Sequence, residues 1–198
     1  MNYISIKIHF ILTLFYFKNT LFCIFIIKVI MQSIQANGYP IHFNEKGYEA
    51  LNLHLKETKY SNLFVLVDTK TNEHCLSKFL PYLETNLTIE IIEFEAGEAN
   101  KNIDTCVEVW KVLTELGADR KSLIVNLGGG VVTDLGGFVA STFKRGVDFV
   151  NIPTTLLAMV DASVGGKNGV DLGNLKNQIG VINVPLMVLV DSSYLVTL

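Results

Sequence analysis

From residue 62 onward, short unbroken apolar runs alternate with stretches whose apolar residues recur at helical spacing. NLFVLVD (62–68) is a run closed by Asp68 and predicts a buried parallel strand. HCLSKFLPYL (74–83) has near-helical spacing, with Pro81 ending or kinking the helix. LTIEIIEF (87–94) alternates enough for a strand. In NIDTCVEVWKVLTELGA (102–118) an apolar face runs through Ile103, Val107, Trp110, Val112, Leu113 and Leu116 and stops at Gly117. Asp104 falls in its first turn, where an acid favours the helix dipole. KSLIVNLGGG (121–130) predicts a strand and turn, VVTDLGGFVAST (131–142) a helix packed through small residues, and VDFVNIPTT (147–155) a strand. TLLAMVDASVGG (155–166) predicts a helix and PLMVLVD (185–191) a last strand. The alternation is that of an α/β chain: a parallel sheet with helices on both faces and right-handed crossovers. Ligands of such sheets bind beyond the carboxyl ends of the strands, so Asp68, residues 128–134, Thr154 and Thr155 are expected to converge there.

The first thirty residues break this pattern. IHFILTLFYFKNTLFCIFIIKVI is far more apolar and aromatic than anything after it. Lys18-Asn19-Thr20 splits it into runs shorter than the roughly 20 residues that cross a bilayer. A lysine near the centre of a spanning helix costs about 3 kcal/mol, tolerable among so many Phe, Ile and Leu neighbours. Residues 1–30 therefore read as a spurious or unstructured extension ahead of a start at Met31, as a membrane-associating helix, or as a signal or docking segment. Function is read from residue 31, and membrane contact is expected only if residues 1–30 are expressed.

Composition narrows the classes. With 198 residues, 49% of them hydrophobic and 18% charged, the chain can build a substantial core. Up to His42 it holds three lysines and no acid; the remainder holds the other 13 Lys and Arg against all 19 acids. That balance is ordinary for a soluble domain and gives no footprint for nucleic acid. Cys23, Cys75 and Cys106 are far apart and read as reduced, buried thiols of a cytoplasmic protein.

The candidate chemistry begins at NLGGGVVTDLGG. Neither G-x-G-x-x-G nor G-x-x-x-x-G-K-[ST] is present, which demotes an ordinary dinucleotide dehydrogenase and a P-loop NTPase. Gly128, Gly129 and Gly130 still let a backbone approach a pyrophosphate at a helix N-terminus, although a plain tight strand–helix connection has the same spacing. Asp134 would repel a phosphate set on it, and fits a ribose or nicotinamide contact better. Downstream, Lys144, Arg145, Thr154, Thr155, Asp161, Lys167, Asn168, Lys176 and Asn177 are interleaved with glycines. On loops, these residues fit a pocket for an anionic, polyhydroxylated substrate.

The run LGGGVVTDLGGFVASTFKRGVDFVNIPTTLLAMVDASVGGKNGVDLGNLKNQIG resembles the cofactor and substrate segment of the 3-dehydroquinate synthase family. GEANK (97–101) is similar to that family's G-E-x-x-K motif and LVD (66–68) to its adenosine-binding strand end. The resemblance runs from about residue 31 to the last residue. It implies a Rossmann-like NAD-binding domain of a phosphate-eliminating cyclase of the shikimate pathway, which makes 3-dehydroquinate from 3-deoxy-arabino-heptulosonate 7-phosphate. It implies NAD contacts at Asp68, Glu98, Lys101, Gly129, Gly130, Val131, Asp134, Thr154, Thr155, Lys176 and Thr197. Substrate contacts fall on Arg145, Asp161, Lys167 and Asn177, with Arg145 acting across the interface of a homodimer.

The family's metal, zinc or cobalt, is held by a Glu and two His of a second, helical domain. The chain stops at SSYLVTL, where that domain would follow, and His9, His42, His54 and His74 are upstream and unclustered. The expectation is an NAD-binding domain over 31–198, no metal ligand in this chain, and no catalysis by the chain alone. Rival readings are another sugar-phosphate cyclase, a metal-dependent polyol dehydrogenase sharing the G-G-G-x-x-x-D turn, and a non-catalytic NAD-binding module.

Overall fold

A computed structural model describes residues 33–198; the reading of residues 1–30 as an extension lies outside them. The chain runs β1 (Ile34–Gln35), β2 (Pro40–Phe43), α1 (Glu45–Glu57) and β3 (Leu63–Asp68). Helical pieces Thr69–Thr71, Asn72–Leu76, Ser77–Phe79 and Leu80–Tyr82 then follow without a break and are together α2. Next come β4 (Ile89–Phe94), a 3-10 turn (Glu98–Asn100), α3 (Ile103–Glu115), β5 (Leu123–Gly128) and α4 (Gly130–Thr142). A 3-10 turn (Phe143–Arg145), β6 (Asp148–Pro153), a π turn (Ala158–Ala162), β7 (Lys167–Leu172), β8 (Leu175–Ile182), β9 (Met187–Val190) and a last 3-10 turn (Ser192–Thr197) complete it.

Seven strands form one sheet in the order β1-β2-β9-β6-β5-β3-β4. Every pair in it is parallel except β1 with β2. The central strands β3, β5 and β9 are buried at every residue, which is why they read as continuous apolar runs and not as alternation. One face packs α1 and α2 through Tyr48, Leu51, Leu55, Cys75 and Phe79. The other packs α3 and α4 through Cys106, Val109, Leu113, Val132, Leu135 and Val139. Helices therefore cover both faces, as the pattern predicts.

Three differences from the sequence reading have physical causes. The seam of α3 is Cys106, Val109 and Leu113, the i, i+3, i+7 positions, while Leu116 lies past the helix end and is exposed; Asn102 caps the helix start by accepting from the Thr105 N–H at 2.9 Å. α2 starts earlier than 74–83, because the Asp68 carboxylate caps it from the end of β3. The glycine-rich segment expected as loops is an antiparallel hairpin, β7–β8, outside the main sheet. It lies on α4, whose paired glycines make room: a Cβ on Gly137 would stand 1.9 Å from Asn168 Oδ1, and one on Gly136 would stand 2.0 Å from Asn126 Oδ1 on the sheet side.

Among the described residues, no helix is long and apolar enough to cross a membrane. Cys75 and Cys106 are free, buried thiols, both pushed up by desolvation, Cys106 to about 12.

Candidate active site

β3, β5 and β6 lie side by side, so their carboxyl ends bring Asp68, the glycine turn and Thr154 to one edge. The Thr154 N–H donates to the Gly128 carbonyl at 3.0 Å, tying β6 to the turn. None of Gly128, Gly129 and Gly130 has a positive φ, so flexibility is not what glycine supplies there. It supplies closeness: a Cβ on Gly129 would meet Thr155 Cγ2 at 3.0 Å, and one on Gly130 would meet Ala162 at 3.4 Å. No side chain caps α4, so its first N–H groups face outward from the glycine turn.

In front of that helix end lies a cleft of about 730 Å³, lined by Gly130, Val131 and Asp134 of α4, by Asp161 of the π turn, and by Lys167 and Asn177 of the hairpin. Glu98 and Lys101 form its far wall. Lys101 is the electrostatic centre, only 4% exposed. A buried ammonium needs close compensation, and four elements provide it. Lys101 Nζ donates to Asn177 Oδ1 at 2.8 Å and to Asp134 Oδ2 at 3.4 Å, with Glu98 Oε1 at 3.5 Å and Asp171 Oδ1 at 3.9 Å. Burial pushes the Asp134 carboxyl up to about 6 despite the opposing pull of Lys101, with Glu98 adding to the rise and Lys167 opposing it.

At the mouth, two exposed lysines are held by carboxylates: Lys176 Nζ donates to Glu98 Oε1 at 3.0 Å, and Lys167 Nζ to Asp161 Oδ1 at 3.1 Å. Asp68 stands beside the cleft, its Oδ1 accepting from the Thr71 N–H at 2.7 Å and the Thr71 hydroxyl at 2.9 Å. Thr197 lies against Cys75 of the α2 helix that Asp68 caps, with Oγ1 and Sγ 3.5 Å apart. Thr155 buttresses the glycine turn from behind. Arg145 is not brought to this cleft. It follows α4 at the amino end of the strands, where Lys144, Arg145 and Gly146 all have positive φ.

One residue of the cluster, Asp171, carries no mark in the sequence, whereas Asn168 does. Asp171 accepts from the Asn177 N–H at 2.7 Å. Asn168 donates to the Gly166 and Asn183 carbonyls at 3.0 and 2.7 Å, closing the open end of the hairpin. A strand pairing of VDL with LKN across Gly173-Asn174 points to Asp171, whereas the glycines suggest loops. Among the described residues, no group of three or more His, Cys, Asp or Glu could hold a metal ion. Glu98, Asp134 and Asp171 converge on the Lys101 ammonium instead.

A family model described as 3-dehydroquinate synthase N-terminal matches residues 91–198. A 3-dehydroquinate synthase of Parabacteroides distasonis is 47% identical over 146 residues, 73% of this chain and 40% of that protein. The chain belongs to the 3-dehydroquinate synthase family. Its fold matches that of a 2-deoxy-scyllo-inosose synthase complexed with carbaglucose-6-phosphate, NAD+ and Co2+, with a TM-score of 0.75 at 25% identity over 83% of this chain and 46% of that one. A 2-epi-5-epi-valiolone synthase of Streptomyces hygroscopicus with NAD+ and Zn2+ bound matches with a TM-score of 0.71 at 27% identity, over 84% of this chain and 46% of that one. The chain thus spans less than half the length of each of these proteins it matches.

Proposed function

We propose that this chain is the NAD-binding half of a 3-dehydroquinate synthase, which cyclises 3-deoxy-arabino-heptulosonate 7-phosphate to 3-dehydroquinate and releases phosphate within aromatic amino acid biosynthesis. The observation that carries the reading is the pairing of an uncapped α4 N-terminus with the buried Lys101 centre across one cleft. The first end suits a pyrophosphate and the second a polyhydroxylated ligand. The higher identity to a 3-dehydroquinate synthase than to the other cyclases favours this substrate within the group.

In this reading the N–H groups of Gly130 and Val131 take the pyrophosphate, and Gly129 lets it come close. Asp68 has Oδ1 engaged with Thr71 and offers Oδ2 to the adenosine ribose. Thr154, Thr155 and Thr197 shape the walls. Glu98, Lys101, Asp134 and Lys176 complete the NAD contacts, and Asp134, its carboxyl raised to about 6 by burial, can hold or release a proton there. NAD bound in this cleft supplies a hydride acceptor for one substrate hydroxyl. Asp161, Lys167 and Asn177 orient the substrate, and Lys167 leaves Asp161 to neutralise the phosphate. Arg145 serves the cleft of a second copy in a homodimer. Glu98, Asp134 and Asp171 are engaged with Lys101 in this reading, and a divalent ion like that of the related cyclases is assigned to ligands outside the described residues. Buried free thiols and the balance of charge fit a cytoplasmic protein.

Calorimetric titration of the chain with NAD tests the reading. Binding is expected in the wild type and lost in Gly130→Val, whose branched side chain enters the space between the turn and Ala162, and in Asp68→Ala. Thermal melts of both variants separate loss of the site from loss of the fold. Unchanged affinity in both folded variants overturns the assignment.

A further inference from the structure

The β7–β8 pairing is irregular where the hairpin reaches Lys101. Val170 pairs with Ile179 and Leu172 with Leu175, so the single residue Asp171 faces Lys176, Asn177 and Gln178. This is a bulge, and bulges re-aim side chains beside active sites. Its central residue, Asn177, has φ 53, a conformation disfavoured for any residue with a Cβ. Asparagine tolerates this region better than other residues with a Cβ, and contacts across the bulge fix it there.

Asp171 makes the holding contacts. Its Oδ1 accepts from the Asn177 N–H at 2.7 Å across the bulge. Its own N–H donates to the Lys101 carbonyl at 2.9 Å, and Asn102 and Asp171 form a parallel bridge. One residue therefore fixes the backbone of Lys101 and that of Asn177, whose amide oxygen is the nearest acceptor of the Lys101 ammonium. The neighbouring bulge residue, Lys176, is turned to Glu98 by the same distortion. The Asp171 carboxylate stands 3.9 Å from Lys101 Nζ, an ion-pair distance beyond hydrogen-bond reach, so it adds its charge directly and reaches the lysine by hydrogen bonds only through Asn177.

We infer that Asp171 is the positioning residue of the Lys101 centre: its carboxylate locks the β8 bulge in the conformation that presents Asn177 to Lys101 and Lys176 to Glu98. The consequence for ligands rests on the NAD-binding reading above; the consequence for Lys101 does not. Asp171 touches neither cofactor nor substrate in this assignment and acts through the geometry of its neighbours.

The test compares Asp171→Ala with Asp171→Asn in the full 198-residue chain. Asparagine keeps an acceptor for the Asn177 N–H and alanine does not. Losing a hydrogen bond to a charged acceptor weakens a dependent equilibrium roughly tenfold or more. NAD affinity is therefore expected to fall by about that factor in Asp171→Ala and to stay within about threefold of wild type in Asp171→Asn, a rescue that a general loss of stability would not give. In parallel, acetylation by acetic anhydride, read by mass spectrometry, reports on Lys101 without any cofactor. Lys101 should be protected in wild type and Asp171→Asn and become reactive in Asp171→Ala. Equal protection of Lys101 in all three proteins overturns the inference, as does a loss in Asp171→Asn as deep as in Asp171→Ala. A wild type that fails to bind NAD while Lys101 opens in Asp171→Ala overturns the NAD reading and leaves the positioning role standing.

Discussion

A carboxyl raised to about 6 inside a cleft ties stability to pH with a definite sign. Asp134 binds its proton more tightly in the folded chain than in the unfolded one, where its ordinary value is 3.8. Between these two values the folded state holds more protons, so this group's contribution to stability falls as pH rises through the window. Asp134→Asn removes the titration and keeps the size. The stability of the wild type relative to Asp134→Asn should therefore drop on the order of 2 kcal/mol between pH 4 and pH 7. Urea melts of both proteins at several pH values measure it, and a flat difference would show that Asp134 is not raised. At this scale the sequence shows most of the cluster. Glu98 and Lys101 are visible through the G-E-x-x-K run, Asp134 through the glycine turn it follows, and Lys176 and Asn177 through the K-N run. Asp171 is not, because its work is to accept from a backbone N–H, and a backbone contact leaves no signature in residue type.

Elements explain what the glycines are for. In isolation, two adjacent glycines weaken a helix by about 1 kcal/mol each relative to alanine. In α4 they sit between two layers, Gly136 against Asn126 and Leu66 of the sheet, Gly137 against Asn168 of the hairpin. Alanine at either position should therefore lose more by overpacking, roughly 1–3 kcal/mol, than it gains in propensity. The two variants should also differ in kind. Gly136→Ala pushes on the buried Asn126, whose amide donates to Asn151 Oδ1 at 2.9 Å, and lowers the melting temperature with the cleft intact in the molecules that remain folded. Gly137→Ala displaces the hairpin that carries Lys167 and Asn177, so its NAD affinity drops even well below the melt. Melting curves beside calorimetric titrations separate the two. The small-residue character of this helix is legible in the sequence, but not what it packs against. The glycines that follow suggest loops, whereas a second, two-stranded sheet lies there. Apolar strands buried on both faces are legible because burial demands unbroken runs. The hairpin strands are not, because β8 is largely exposed and polar at its bulge.

At the scale of the whole molecule, the cleft and Arg145 occupy opposite ends of the sheet. The 13 residues of α4, which begins at the cleft and ends before Arg145, span about 20 Å. Three consecutive positive-φ residues hold Arg145 outward there, a strain that a fold keeps where the presented side chain has a use. If that use is the cleft of a second copy, as proposed, NAD binding and substrate binding divide differently between copies. A single chain suffices for NAD, whereas the phosphate-bearing substrate needs two. Arg145→Ala should then leave NAD affinity unchanged and weaken binding of 3-deoxy-arabino-heptulosonate 7-phosphate. A chain carrying Lys167→Ala and Asn177→Ala should lose the substrate as well, for the opposite reason. Mixed in equal amounts, the two defective chains form some twofold pairs in which one cleft is intact and receives an intact Arg145, so about a quarter of the sites should recover. Calorimetry of the mixture against each parent counts those sites. Full substrate binding by Arg145→Ala alone would place the arginine outside the site, and no recovery in the mixture would mean that each chain works by itself.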